Sequence, residues 1–342
     1  MSPCLPLLVF HHRNGGDNVV DDNDDEMLMF SLSQQSLHKN LEHDLLAAGS
    51  AKCWPTTQGW MLLAEKDHDD TSPSSPACLW NPLTGERLPL PNIGLEENEI
   101  PRFCKCFLTH KDPSHPGCAV VLFHLAAPVL WYCHVAHGGS GWRRHAYDIG
   151  NYPIPEAYRR PTKAIISIIA SFQGKLYFFK SPREMCAIDF SPARAQPTFQ
   201  FFDVHRSARY PQAMSSGRDW LVDSQDQLFL VSVRFIGFDP DNIGAIYVYR
   251  MDFSSSKRAR WISVRDIGDV VFLLEDANVA ASCPASALGH NANQIYFMKN
   301  LKEDDADLCV FDLESNSHEI TRVHQHDDLI LRRKPFWIVP PN

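Results

Sequence analysis

The chain has 342 residues, 44% of them apolar and 21% charged, and its 32 Lys and Arg against 41 Asp and Glu leave a net charge of −9. That apolar content over that length buries a large core, which excludes disorder as the main state. The acidic balance excludes a phosphate-neutralising surface, so nucleic acid and anionic membrane are not expected partners, and no apolar run approaches the ~18 residues that span a bilayer.

Met1 to Phe10 is apolar but short and lacks a basic start or a small-residue cleavage site, so it reads as a strand and not as an address. Residues 17–26 then carry six acids in ten, unlike an acid-poor transit peptide. Ten cysteines without a CxxC pair, and no Asn-x-Ser/Thr acceptor, fit a reducing compartment. Cytoplasm or nucleus is the expected location. Leu28 to Leu32 reads as a strand, and Gln35 to Ala48 as the one credible helix.

From there the period is two. Short runs rich in Val, Ile, Tyr, Phe and Trp alternate with turn residues: Trp60–Leu63, Ala77–Trp80, Ala119–Leu125, Val129–Val135, Gly174–Phe179, Gln227–Val233, Gly244–Met251 and Gln294–Met298. Three of these runs begin at Gly174, Asp226 and Asn293, where a hairpin needs a left-handed residue. The strand after each one ends apolar-Asp-apolar, at Asp189, Asp252 and Asp312, and a third strand follows with Phe199, Trp261 or Ile320. Units of roughly 40–65 residues with about four short strands are the mark of a β-propeller. One four-stranded sheet cannot cover both its faces, and radial stacking covers them. The expected fold is therefore all-β, a single-domain propeller spanning residues 1–342 with about six four-stranded blades. Leu5–Phe10 and Phe336–Val339 are expected to share one blade and so close the ring.

The most specific text is Gly59-Trp60-Met61-Leu62-Leu63 followed by Leu79-Trp80-Asn81-Pro82-Leu83-Thr84-Gly85-Glu86-Arg87-Leu88-Pro89. With the closing Pro335-Phe336-Trp337-Ile338-Val339-Pro340, it resembles a large plant family of F-box-associated domains, the KIB-type β-propeller, related to kelch-like F-box propellers. The resemblance covers nearly the whole chain. It implies a non-enzymatic client-binding module of the ubiquitin-ligase receptor type. Because the family is named after members that restrain a shaggy-like kinase, it also implies a kinase as one kind of client. Such receptors carry an N-terminal F-box of about 40–50 residues. None is visible here, where the chain enters the propeller near Pro3, so the ligase-adaptor contact is doubtful. Read from the residues themselves, Asn81 to Gly85 fixes a turn: Pro82 presets φ and Gly85 supplies a positive one.

Motifs that suggest chemistry each lack a part. His137-Gly138-Gly139-Ser140-Gly141 looks like an oxyanion-hole loop, but no Gly-x-Ser-x-Gly elbow accompanies it. Asp239-Pro240-Asp241-Asn242-Ile243-Gly244 starts like a calcium loop, yet Ile243 stands at position five and Arg250 at position twelve. It reads as a polar inter-strand turn. The sixteen histidines and Cys104-x-Cys106 show no familiar zinc spacing, so no cofactor or metal is expected. The repeated aspartates are expected to accept amides of the turn after their strand, with a shared axial ion as the sharper alternative. Lys257, Arg258, Arg260, Arg332 and Arg333 are the candidate handles for an acidic partner. The expected molecule is a monomeric protein-interaction propeller. The competing class is an enzyme or small-ligand binder that uses an axial pocket with a metal ion.

Overall fold

The computed structural model describes residues 5–13, 25–39, 51–65, 74–94, 104–136, 141–152, 162–206, 211–214, 216–240, 242–254, 258–275, 279–289, 291–298, 307–323 and 330–340. Two single 3-10 turns, Gln212–Met214 and Ser286–Leu288, are the helical segments among them. The chain forms two compact units, residues 1–49 with 205–342, and residues 50–204.

The first unit opens with β1 (Leu7–Arg13), β2 (Asp25–Ser31) and β3 (Ser36–Lys39). In the second, three antiparallel meanders follow one another. They are β4 (Ala51–Pro55), β5 (Met61–Glu65), β6 (Ser74–Trp80) and β7 (Arg87–Gly94); β8 (Cys104–Leu108), β9 (Ala119–His124), β10 (Val129–His134) and β11 (Arg143–Ala146); and β12 (Ile169–Phe172), β13 (Lys175–Ser181), β14 (Glu184–Asp189) and β15 (Thr198–Arg206). The first unit resumes with the meander β16 (Ser216–Ser224), β17 (Gln227–Phe235), β18 (Ile243–Asp252) and β19 (Ala259–Val264). It ends with β20 (Val270–Leu274), β21 (Ala280–Pro284), β22 (Gln294–Met298), β23 (Asp307–Asp312), β24 (Ser317–Arg322) and β25 (Ile330–Ile338).

The tight turns follow from backbone chemistry. Gln173-Gly174 and Gln225-Asp226 all have positive φ, which matches a two-residue turn to the twist of its strands. Strands buried on both faces are continuous apolar runs. In β20 (VVFLL), Val271 and Leu273 enter one core with Leu8, Phe30 and Trp337, while Val270, Phe272 and Leu274 enter another with Trp220 and Val231. In the second unit, Trp54, Leu62 and Leu79 pack against Val120, Leu122 and Trp131. Each core thus lies between two neighbouring sheets, and one sheet serves two cores.

Side chains also tie sheet to sheet through backbone carbonyls. Ser171 Oγ donates to Thr109 O at 3.0 Å, and Gln58 Nε2 to Leu108 O at 3.2 Å. In the first unit, Ser282 Oγ donates to Asp223 O at 2.9 Å and Trp220 Nε1 to Glu275 O at 2.6 Å. The two terminal strands share a sheet, ordered β25-β1-β2-β3, with Leu7 opposite Ile338 and Leu8 opposite Trp337. Trp337 is 2% exposed; its amide donates to Glu275 Oε1 at 3.1 Å and its indole to Leu274 O at 3.3 Å.

Three expectations need correction. Among the described residues the strands pair as the four-stranded groups β25-β1-β2-β3, β4–β7, β8–β11, β12–β15 and β16–β19 and as the five-stranded group β21-β20-β22-β23-β24, so the expected uniform blades of four do not hold throughout. Spacing along the chain counts hairpins, and a hairpin count does not say where a sheet ends, because any edge strand offers unpaired groups to another. Ser36–Lys39 is a strand paired with β2, not the start of a helix; residues 40–48 of the expected helix lie outside the described residues. Pairing with a neighbour overrides a weak helical pattern. Asn293 has the expected left-handed φ of 63°, but no hairpin turns there. β21 pairs with β20, and β22 lies parallel to β20 after a crossover through Ser286–Leu288.

Candidate functional site

Turns that lead into the last strand of a meander share one construction. Asp189 Oδ1 accepts the Ser191 amide at 2.9 Å, Asp252 Oδ1 the Ser254 amide at 2.9 Å, and Asp312 Oδ1 the Ser315 amide at 2.7 Å. Asn81, just past β6, does the same work: its Oδ1 accepts Leu83 N at 2.9 Å and Thr84 N at 3.2 Å. Gly85 closes that turn at φ 75°, with its amide on Asn81 O at 2.9 Å. The residues flanking it have separate places. Trp60 is 6% exposed, and its amide donates to Thr56 Oγ1 at 3.2 Å, next to Gly59 at φ 83°. Pro82 is half-buried, Leu83 is 64% exposed, and Pro340 is half-buried after β25.

Electrostatics follow this geometry. Two hydrogen bonds from Ser254, and then the Arg260 guanidinium, hold the Asp252 carboxyl well below the usual carboxylate range. Arg260 Nε lies 2.8 Å from Asp252 Oδ2, so this arginine serves its own turn. The Ser315 amide and hydroxyl lower Asp312. Arg258 is exposed, Lys257 lies outside the described residues, and Arg332 and Arg333 are placed by backbone in β25 with their side chains outside the described part. Cys104 and Cys106 share one buried core; burial pushes Cys104 up to about 12 and raises Cys106 as well, which leaves both as inert thiols. Among the described residues, no group of three or more His, Cys, Asp or Glu is placed to hold a metal. Residues 137–140 of the glycine-rich loop lie outside them.

The best candidate for contact is at the other end of β18. Between β17 and β18, Ile236 is 43% exposed and Phe238 is 89% exposed. An aromatic ring left in water at a loop tip has no packing role there, which makes it informative in a way a lone exposed aliphatic is not. The tip is held from inside and from beside. Ile236 N donates to Asn242 O at 2.8 Å and Asn242 N to Asp239 O at 3.1 Å. Gly237 N donates to Ala213 O at 2.9 Å, and the Ser216 hydroxyl donates to the Gly237 carbonyl.

The base of the hairpin is stapled across strands. Asp219 and Ser232 are directly paired, Ser232 Oγ donates to Asp219 Oδ1 at 2.6 Å, and Arg234, 8% exposed, forms an ion pair with the same carboxylate. Gly217 lies opposite Arg234, and a Cβ there would stand 2.3 Å from Val233 O. Only glycine leaves room for that crossing. The sequence reading of this connection as a polar turn missed Phe238. The available signal was a phenylalanine set between Gly237 and Asp239-Pro240, where a turn needs no apolar residue.

Comparison with known proteins now decides the family. The family model described as KIB1-4 beta-propeller matches residues 29–312. The chain belongs to that family. Its fold class is accordingly the β-propeller, and the match covers the hairpin tip of this KIB1-4 propeller as well as its Asn81 turn. A curated relative, the F-box protein At2g17036 of Arabidopsis thaliana, is 25% identical over 223 residues, which span 54% of each chain. The match therefore reaches about half the length of that relative. Among solved structures, a putative 6-phosphogluconolactonase from Bacteroides uniformis is similar at 11% identity and TM-score 0.41, over 92% of this chain and 81% of that one. An α-L-arabinanase from Penicillium chrysogenum is similar at 10% identity and TM-score 0.32, over 93% and 98%. At those scores neither likeness bears on activity.

Proposed function

We propose that this KIB1-4 propeller is a protein-binding module without chemistry of its own, and that it engages a protein client through the β17–β18 tip. The observation that carries this reading is Phe238, 89% exposed on a loop whose backbone is already fixed by Ala213 and Ser216. A preorganised aromatic loses little conformational freedom on docking. Its transfer from water into a partner is worth about 2 kcal/mol, or roughly thirty-fold in affinity. The relation to an F-box protein supports a client-receptor role in the ubiquitin pathway; a place in cytoplasm or nucleus and a kinase among the clients to test first are part of the same proposal. The test is affinity capture from plant extract with the tagged full chain, run beside the Phe238→Ser variant. The expected result is a protein retained by the parent and depleted on the variant. Enrichment of nothing above the tag control would overturn the reading.

A further inference from the structure

The β17–β18 tip belongs to the first unit and β11 to the second. Independently of the tip, we infer that β11 takes an acidic, extended segment of a protein partner as an added strand, its carboxylates held by Arg143, Arg144 and Arg194. Backbone geometry is the first argument. β11 ends its sheet, ordered β11-β10-β9-β8 among the described residues. Tyr147 N donates to Pro128 O at 3.0 Å, and the register runs unbroken from Ala146 opposite Val129 to Arg143 opposite Tyr132. Bonded residues alternate in an antiparallel ladder, so Arg143 and His145 bond to β10, while Arg144 and Ala146 turn their N–H and C=O groups away from it. Arg144 and Ala146 are both exposed. Such an edge is satisfied by another polypeptide, through main-chain bonds that a nucleic acid does not offer.

Charge is the second argument, and it selects the segment. Residues 101–204 hold twelve Lys and Arg against six Asp and Glu, on a chain with 32 against 41. Arg143, Arg144 and Arg194 are exposed. Arg143 Nη1 donates to Ala195 O at 3.4 Å and the Tyr132 hydroxyl to the same carbonyl at 3.3 Å, which sets Arg143 beside the turn that carries Arg194. His145 stacks on Phe199 at 5.9 Å, so β11 and the start of β15 form one surface. The carboxylates of the neighbouring segments are engaged: Asp148 with Lys163, Glu184 with Lys180, and Asp189 with the Ser191 amide. Side chains alternate along a strand, so Arg143 and Arg144 stand on opposite faces, and consecutive acids of an added strand meet one guanidinium on each. A second copy of β11 at this edge would set arginine against arginine, which disfavours self-pairing.

The probe is a phage library of short random peptides, selected on the tagged full chain and on the Arg143→Ser/Arg144→Ser/Arg194→Ser variant, whose folding is checked by its melting curve. The expected peptides carry consecutive Asp or Glu and are recovered on the parent alone. A synthetic copy should bind the variant about ten-fold more weakly than the parent at ~50 mM salt, with a smaller gap at ~500 mM. Remade with N-methyl groups on alternate residues, one of the two sets should lose binding to the parent and the other keep it, because only one set of amides faces β11. Peptides without an acidic bias, or equal binding to the triple variant, would overturn the arginine site. Two methylated sets that both bind like the unmodified peptide would overturn strand addition. A peptide lost on Phe238→Ser and kept on the triple variant would overturn the β11 site while leaving the tip as a contact. A parent that selects no peptide would overturn the inference outright, and self-association of the variant would then mark the arginines as guards of the edge.

Discussion

The two ends of β18 are both turns, and they are built on opposite plans. At Asp252 the turn is self-sufficient: the side chain that ends the strand accepts the amide two residues on, and Arg260 from the next strand faces it. At Phe238 the loop depends on neighbours, with Ala213 and Ser216 from the preceding connection and strand fixing its backbone, and it displays a side chain that satisfies nothing within the fold. A turn that solves its own hydrogen bonding works as a structural joint. One held rigid from outside while exposing an aromatic ring is shaped for something beyond the chain.

The contrast breaks most readily at Gly217. Replacing it with valine forces a Cβ against Val233 O and separates β16 from β17 under the tip. Urea denaturation should show a loss of about 3 kcal/mol or more, or no folded protein. A loss below about 1 kcal/mol would show that the hairpin base yields and that the tip is not rigid. A smaller effect belongs to the self-sufficient turns. Asp312→Ala removes the acceptor for the Ser315 amide and hydroxyl, and should cost about 1 kcal/mol with no effect on client binding. Asn81→Ala should behave alike, since Asn81 also accepts two amides.

Acid provides a third test. Asp252 and Asp312 have carboxyls held below their unfolded value, so the stability they contribute is present above about pH 4 and is lost as pH falls toward their folded values. Thermal melts of Asp252→Asn should therefore differ from the parent at neutral pH and converge with it in strong acid. A constant gap across that range would mean that the charge is irrelevant to the turn. The smallest expected effect is Phe238→Ser on stability, within about 0.5 kcal/mol, because the ring is in water in the folded chain. A large loss would place Phe238 in a packing role and end its candidacy as a contact.

The same contrast explains what could be read from the residues. Joints such as Gln173-Gly174 and Asn81 to Gly85 were legible because glycine, proline, Asn and Asp carry their conformational preference with them. The terminal strands were legible because apolar runs at both ends need a shared core. Features set by distant partners were not. The parallel pairing of β22 with β20 and the strand at Ser36–Lys39 depend on which edge the chain meets. The brace under Phe238 joins Gly237 to Ala213, 24 residues earlier, and no local pattern announces it.

The sheet ordered β25-β1-β2-β3 bears on how the polypeptide is made. β1 leaves the ribosome about 320 residues ahead of β25, the strand that flanks it. At a synthesis rate of roughly 5–20 residues per second, the Leu7 edge waits some tens of seconds for Ile338. Through that interval the nascent chain exposes an apolar, unpaired border, so its yield in a cell should depend on chaperone supply more than its final stability would suggest.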